Sequence, residues 1–254
     1  MLALLSPAKT LDYDSELPPH DVAAPRLESK TGRLVSAASN LTKDRIGEIM
    51  KISDKLADLN YQRYRHFDDQ PERAAIYAFA GDVYNGFEAK SLEPEAIAFA
   101  QDHVRILSGL YGLLRPLDAI RPYRLEMGTR WAPRYDKLTD FWGKTIADLL
   151  ADDLDAEGSG TIINLASNEY YAAVEASRTV RAARVIAIDF REDGPKGLRF
   201  NSFAAKQARG MMARYICEHR LEKPEELKGF DSDGYRFVED GSEEHSWRFV
   251  RAAE

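Results

Sequence analysis

The chain has 254 residues, 44% of them hydrophobic and 30% charged, with a formal net charge of −7, the make-up of a soluble globular protein long enough to bury a substantial core. Its one cysteine, Cys217, excludes a disulfide framework within a monomer and favours a reducing compartment. No run approaches the roughly 20 apolar residues needed to span a bilayer, so a cytoplasmic protein is expected.

Residues 1–6 are apolar but stop at Pro7, with no basic flank and no long apolar region, which reads as a buried strand and not a signal peptide. Lys9 and Thr10 then fall in the loop past the strand, and residues 12–25 form a proline-bearing connection. Leu34, Val35, Ala38 and Leu41 recur at helical spacing, as do Ile46, Ile49, Met50, Leu56 and Leu59. Thr42 and Ser53 suit N-caps, so residues 31–67 are predicted as a set of short helices. Residues 76–80 are predicted as a short strand or helix end. Pro94 suits the first turn of a helix running to about His103, and residues 104–107 follow as a strand.

A helix is expected over 139–154, a turn at 158–160, and strands at 161–166, 185–190 and 198–203. Beyond these, Ala204, Ala208, Met211, Met212, Tyr215 and Ile216 share one face of a helix, with Lys206, Arg209 and Arg220 opposite. Residues 235–238 and 247–250, separated by acidic residues, suit a closing hairpin. No repeat or low-complexity linker divides the chain. The prediction is a single α+β domain over residues 1–254, a mixed β-sheet surrounded by helices.

Charge is unevenly distributed. Residues 105–134 carry six arginines and two acids, residues 196–214 five basic side chains and no acid, and residues 231–254 seven acids and three arginines. Salt screens charge beyond about 8 to 10 Å, so local balance matters more than the total. Pro116 and Pro122 restrain the backbone at Arg115 and Arg121, presenting guanidinium forks that match two oxygens of a phosphate or carboxylate. The alternative is a structural network in which Arg115, Arg121 and Arg124 bind Asp118, Glu126 and carbonyls. Gly109 and Gly112, with a basic residue after them, loosely match the hairpin of a helix-hairpin-helix DNA-binding motif, whose amides face phosphate.

The segment Ser6-Pro7-Ala8-Lys9-Thr10 lies where a first strand ends, a common position for ligand-binding residues in sheets flanked by helices, although it lacks the glycines of a phosphate-binding loop. Asp82, Tyr84, Asn164, Ser167, Glu169 and Tyr170 fall at predicted element ends, where they serve either as caps and turns or as the lining of a polar pocket. His20, His66, His103, His219 and His245 show no paired spacing, so no metal site is expected.

Several blocks also match a known family: Ser6-Pro7-Ala8-Lys9-Thr10-Leu11-Asp12-Tyr13, Ile52-Ser53-Asp54-Lys55-Leu56-Ala57, Gly81-Asp82-Val83-Tyr84, residues 107–118 and 122–128, Asn164-Leu165-Ala166-Ser167 and Ala208-Arg209-Gly210. In this order, over nearly the whole chain, they resemble the peroxide stress protein YaaA family. The resemblance implies a cytosolic bacterial protein, induced by hydrogen peroxide, that limits oxidative damage to DNA and protein by lowering unincorporated iron. It also implies a family-specific fold with a positively charged cleft and a helix-hairpin-helix-like element that binds double-stranded or junction DNA. Asn168 and Gln207 depart from the family pattern, which has an acidic residue and a lysine there.

Two functional expectations stand. In one, Lys9, Arg115, Arg121, Arg124, Lys206 and Arg209 line one cleft and contact DNA phosphates, giving affinity without sequence preference and a steep salt dependence. In the other, the same arginines clamp a small phosphorylated or carboxylated substrate while Asp82, Glu126 or Glu169 transfers protons. Neither expectation calls for a cofactor, and direct iron sequestration finds little support in the residues.

Overall fold

The computed structural model describes residues 1–175 and 177–253, so within the acidic C-terminal stretch Glu254 lies outside the described residues. Five strands run parallel: β1 (Leu2–Leu5), β2 (Val104–Ser108), β3 (Thr161–Asn164), β4 (Arg184–Gly194) and β5 (Ser246–Ala252). Across the sheet they lie in the order β5-β4-β3-β1-β2. Three antiparallel strands complete a mixed eight-stranded sheet: Gly112–Leu114 beside β2, Gly197–Arg199 beside β4 and Arg236–Glu243 beside β5.

The predicted single domain around a mixed sheet is therefore what forms, and its centre is parallel. Every residue of β1, β2 and β3 is buried, because strands covered on both faces read as continuous apolar runs and not as alternating ones. The predicted short helices appear as Glu28–Ser39, Lys43–Met50 and Asp54–Arg65. Thr42 caps the second of these by accepting from the Arg45 N–H at 3.2 Å. Pro94–His103 is helical as its proline requires. Among the described residues no helix is long and apolar enough to cross a membrane.

Three expectations are corrected. Gly109 and Gly112 do not join two helices: β2 and Gly112–Leu114 pair antiparallel with Ser108 opposite Gly112, so the segment is a β-hairpin. Its apolar residues Ile106, Leu107, Leu110, Leu113 and Leu114 are fully buried, which draws the hairpin into the core and away from any phosphate. The helix expected over 139–154 is two, Leu138–Trp142 and Thr145–Glu157, broken where Gly143 takes φ +52°. The strand expected over 198–203 ends at Arg199, because Asn201 caps the helix Ser202–His219 by accepting from the Phe203 and Ala204 N–H groups at 3.2 and 3.4 Å.

Candidate functional site

All five parallel strands point their carboxyl ends to one edge of the sheet, and the polar groups gather there beyond β1, β2 and β3. Ser6 follows β1 and its Oγ accepts from the Ser167 N–H at 2.9 Å, beyond β3. Tyr84, from the short helix Asp82–Phe87, donates its hydroxyl to the Ser6 carbonyl at 3.0 Å. Ser108, the last residue of β2, shares a hydrogen bond with the Tyr123 hydroxyl at 2.7 Å. Burial holds the Tyr84 and Tyr123 hydroxyls far above the ordinary tyrosine range, so both stay neutral and act as fixed struts.

Residues 122–128 lie directly across these strand ends. A Cβ on Gly109 would sit 2.1 Å from the Leu125 carbonyl oxygen, so only glycine lets the two backbones approach this closely. The Tyr64 hydroxyl holds the Arg124 carbonyl at 2.9 Å, and the Gly128 N–H donates to Glu169 Oε1 at 3.0 Å. The restrained segment thus delivers Arg124 and Glu126 over the strand ends. There the two oxygens of Glu126 take Lys9 Nζ at 2.8 Å and Arg124 Nη2 at 3.0 Å.

Arg124, Glu126 and Glu169 line a cavity of about 260 Å³ together with Lys51, Thr129 and Arg130. Of the six cations assigned to a cleft, Lys9 and Arg124 are brought together on one carboxylate. Arg115 turns elsewhere: its Nε and backbone N–H donate to the fully buried Asp118 at 3.0 and 2.8 Å. Arg121 pairs with Glu72 at 2.7 Å and lies over the Phe67 ring. It faces a larger cavity of about 620 Å³ in which Glu28, Asp68, Asp69 and Glu72 outnumber the arginines, a poor setting for phosphate. The network weighed as the alternative thus forms at Arg115 with Asp118 and at Arg124 with Glu126, whereas Arg121 takes a carboxylate outside it, Glu72.

Arg209 is half-buried on the helix Ser202–His219, and burial lowers its pKa, whereas Lys206 is exposed with its ammonium 5.6 Å from the Phe203 ring centre. Phe203 is 70% exposed, Phe200 54% and Leu198 49%. Arg191 stacks on Phe200 at 5.4 Å. Sequence reasoning missed these phenylalanines by assigning them to a strand. The available signal was two aromatics in a stretch without acids, the pattern of a stacking surface.

Of the residues expected to line a polar pocket, Tyr84 and Ser167 both bond Ser6, whereas Glu169 bonds the Gly128 N–H and lines the cavity of about 260 Å³ without them. Asn164 is a turn residue, its Oδ1 accepting from the Ala166 N–H at 3.0 Å. Asp82 heads its short helix and has no ion-pair partner among the described residues.

Such an arrangement defines an α/β protein built on an open, largely parallel sheet, with its polar groups collected at the strand ends. The family profile described as "Peroxide stress protein YaaA" matches residues 1–241, and the chain belongs to that family. It is 60% identical over 252 residues to a UPF0246 protein of Rhizorhabdus wittichii, covering 99% of both chains. It is also 47% identical over 257 residues to UPF0246 protein IL2146 of Idiomarina loihiensis, and 45% identical over 256 residues to a UPF0246 protein of Hahella chejuensis, again over 99% of each. Membership supports a role in the response to peroxide stress.

Proposed function

We propose that the protein serves the peroxide-stress response by binding DNA, double-stranded or at junctions, through the exposed face around Lys196, Phe200, Phe203 and Lys206. One observation carries this reading: two solvent-exposed phenylalanines, each with a cation against its ring, rise from a stretch that holds five basic residues and no acid. Lysines supply phosphate contacts without sequence preference, and exposed aromatic rings stack on base faces left open at a junction or an end. The iron-lowering effect is assigned to the consequences of this contact and to no ligand set on the chain. Among the described residues no three His, Cys, Asp or Glu side chains are grouped to hold a metal ion.

Fluorescence anisotropy with a labelled four-way junction and a duplex of the same arms, over a salt series, tests the reading. Affinity is expected to fall steeply with salt, and Lys206→Ala to reduce the slope by about one. Phe203→Ala is expected to weaken the junction more than the duplex. Affinity that stays constant from low to moderate salt, or normal binding by both variants, would remove the proposal.

A further inference from the structure

The chain leaves β1 for β2 on one flank and later enters β3 on the other, so β1 and β3 are neighbours whose connections run in opposite directions. Numbered in chain order, the parallel strands lie 2-1-3-4-5. In open parallel sheets of this order the reversal leaves a crevice beyond the carboxyl ends of strands 1 and 3, and small ligands bind there. Here the hydrogen bond from the Ser167 N–H to Ser6 Oγ ties together the loops that follow those two strands. Near the strand ends, Lys51, Arg124 and Arg130 line one cavity with Glu126 and Glu169, and Lys9 is held on that same Glu126, so that cations outnumber acids in the group.

Each of these groups keeps unused capacity. Glu126 fixes Lys9 and Arg124 through one oxygen each, leaving further N–H donors on both heads. Arg124 Nε is buried and has no protein partner, a condition it shares with Nε of Arg26, Arg121 and Arg251, and Arg124 also lines the cavity. Lys51 and Arg130 pair with no carboxylate among the described residues, and Glu169 spends one oxygen on the Gly128 N–H. The cavity of about 260 Å³ lies just below the usual range of pockets for drug-sized ligands and is far too small to admit a duplex.

We propose that this crevice is a binding site for a small oxyanion-bearing molecule, a phosphate or carboxylate of metabolite size, separate from the nucleic-acid face. Lys9 and Arg124 grip the anionic group, and the free oxygen of Glu169 accepts from a hydroxyl or amine on the same ligand. Glu126 is a positioning residue that holds both cations in place.

Isothermal titration calorimetry of the full chain at low ionic strength, with pyrophosphate in one arm and citrate in the other, tests the site. Saturable single-site binding of at least one probe is expected. Pyrophosphate alone would mark a phosphate ligand, and citrate alone a carboxylate. Lys9→Met and Arg124→Lys should each weaken binding about tenfold, with Lys206→Ala unchanged. Lys9 is 61% exposed, so Lys9→Met carries the result should Arg124→Lys fail to fold. No saturable heat from either probe overturns the proposal, as does equal loss in Lys206→Ala, which would place the anions on the outer face. Neither outcome touches the DNA reading, whose readout is the anisotropy of labelled junction and duplex.

Discussion

Ser6 Oγ accepts a hydrogen bond from the Ser167 backbone N–H at 2.9 Å, joining the loop after the first strand of the chain to the loop after its third parallel strand. The same Oγ lies 3.3 Å from the Ser167 hydroxyl. Two strands separated by more than half the chain are thus closed at the end where the candidate site opens. Ser6→Ala leaves the Ser167 N–H without its acceptor, and a loss of about 1 to 2 kcal/mol is expected. Urea denaturation should show a lower midpoint with an unchanged slope.

Two glycines on helices make opposite predictions. A Cβ on Gly210 would fall 1.7 Å from the Val83 carbonyl oxygen, because the helix Ser202–His219 packs backbone against backbone on Asp82–Phe87. Gly210→Ala is expected to cost about 3 kcal/mol through forced separation of the two helices. Gly32, inside the helix Glu28–Ser39, has open space where an added methyl would sit, with no atom within 4 Å. Gly32→Ala should stabilise by about 0.5 to 1 kcal/mol. Thermal denaturation of the two variants side by side checks both signs.

Arg115 offers a test between structural and contact roles. Its guanidinium lies 2.9 Å from the Asp118 carboxylate, which has no exposed surface. Arg115→Ala removes that charge partner and is expected to cost about 2 kcal/mol, below the range for a fully buried pair because Arg115 itself reaches solvent. The folded variant should bind junction DNA as the parent does. A normal stability with a large loss of DNA affinity would reverse the assignment.

How far the sequence discloses this protein depends on the range of the interaction concerned. Local signals are readable: Pro94 marks the start of its helix, Thr42 caps another, and the apolar run of Leu2–Leu5 gives a buried strand. The 2-1-3-4-5 strand order is not, because Ala3 pairs with Val104 on one side and Ile163 on the other, and no local period encodes such distant partners. Charge counting locates the arginines but not their carboxylates. Glu72 reaches Arg121 only because Arg73–Ala74 pairs with Ala119–Ile120. Lys9 and Arg124 stand out in the sequence as site residues, yet their meeting on Glu126 depends on residues 122–128 crossing the strand ends, which the close fit of Gly109 against Leu125 permits. Phe200 and Phe203 are hidden by a plausible strand that the Asn201 cap ends.

Asp153 ties Arg26 and Arg105 to the helix Thr145–Glu157 and contributes to the acid dependence of stability. Its Oδ2 accepts from Arg105 Nε on β2 at 2.6 Å and from Arg26 Nη2 at 2.9 Å. Burial alone would raise the Asp153 pKa, but the hydrogen bonds from Arg26 and Arg105 outweigh it and hold the carboxyl below its ordinary value. A folded-state pKa below the unfolded one means that this stabilisation is fully present above the ordinary carboxylate range, about pH 4, and is lost as pH falls through the depressed value. Asp153→Asn leaves the buried Arg105 without a counter-charge and is expected to cost about 3 kcal/mol at neutral pH. The gap between the melting temperatures of parent and variant should narrow as pH falls below the ordinary carboxylate range and through the depressed value at which the parent's carboxyl also becomes neutral. A gap that stays constant with pH would show that the loss comes from packing and not from the ion pair.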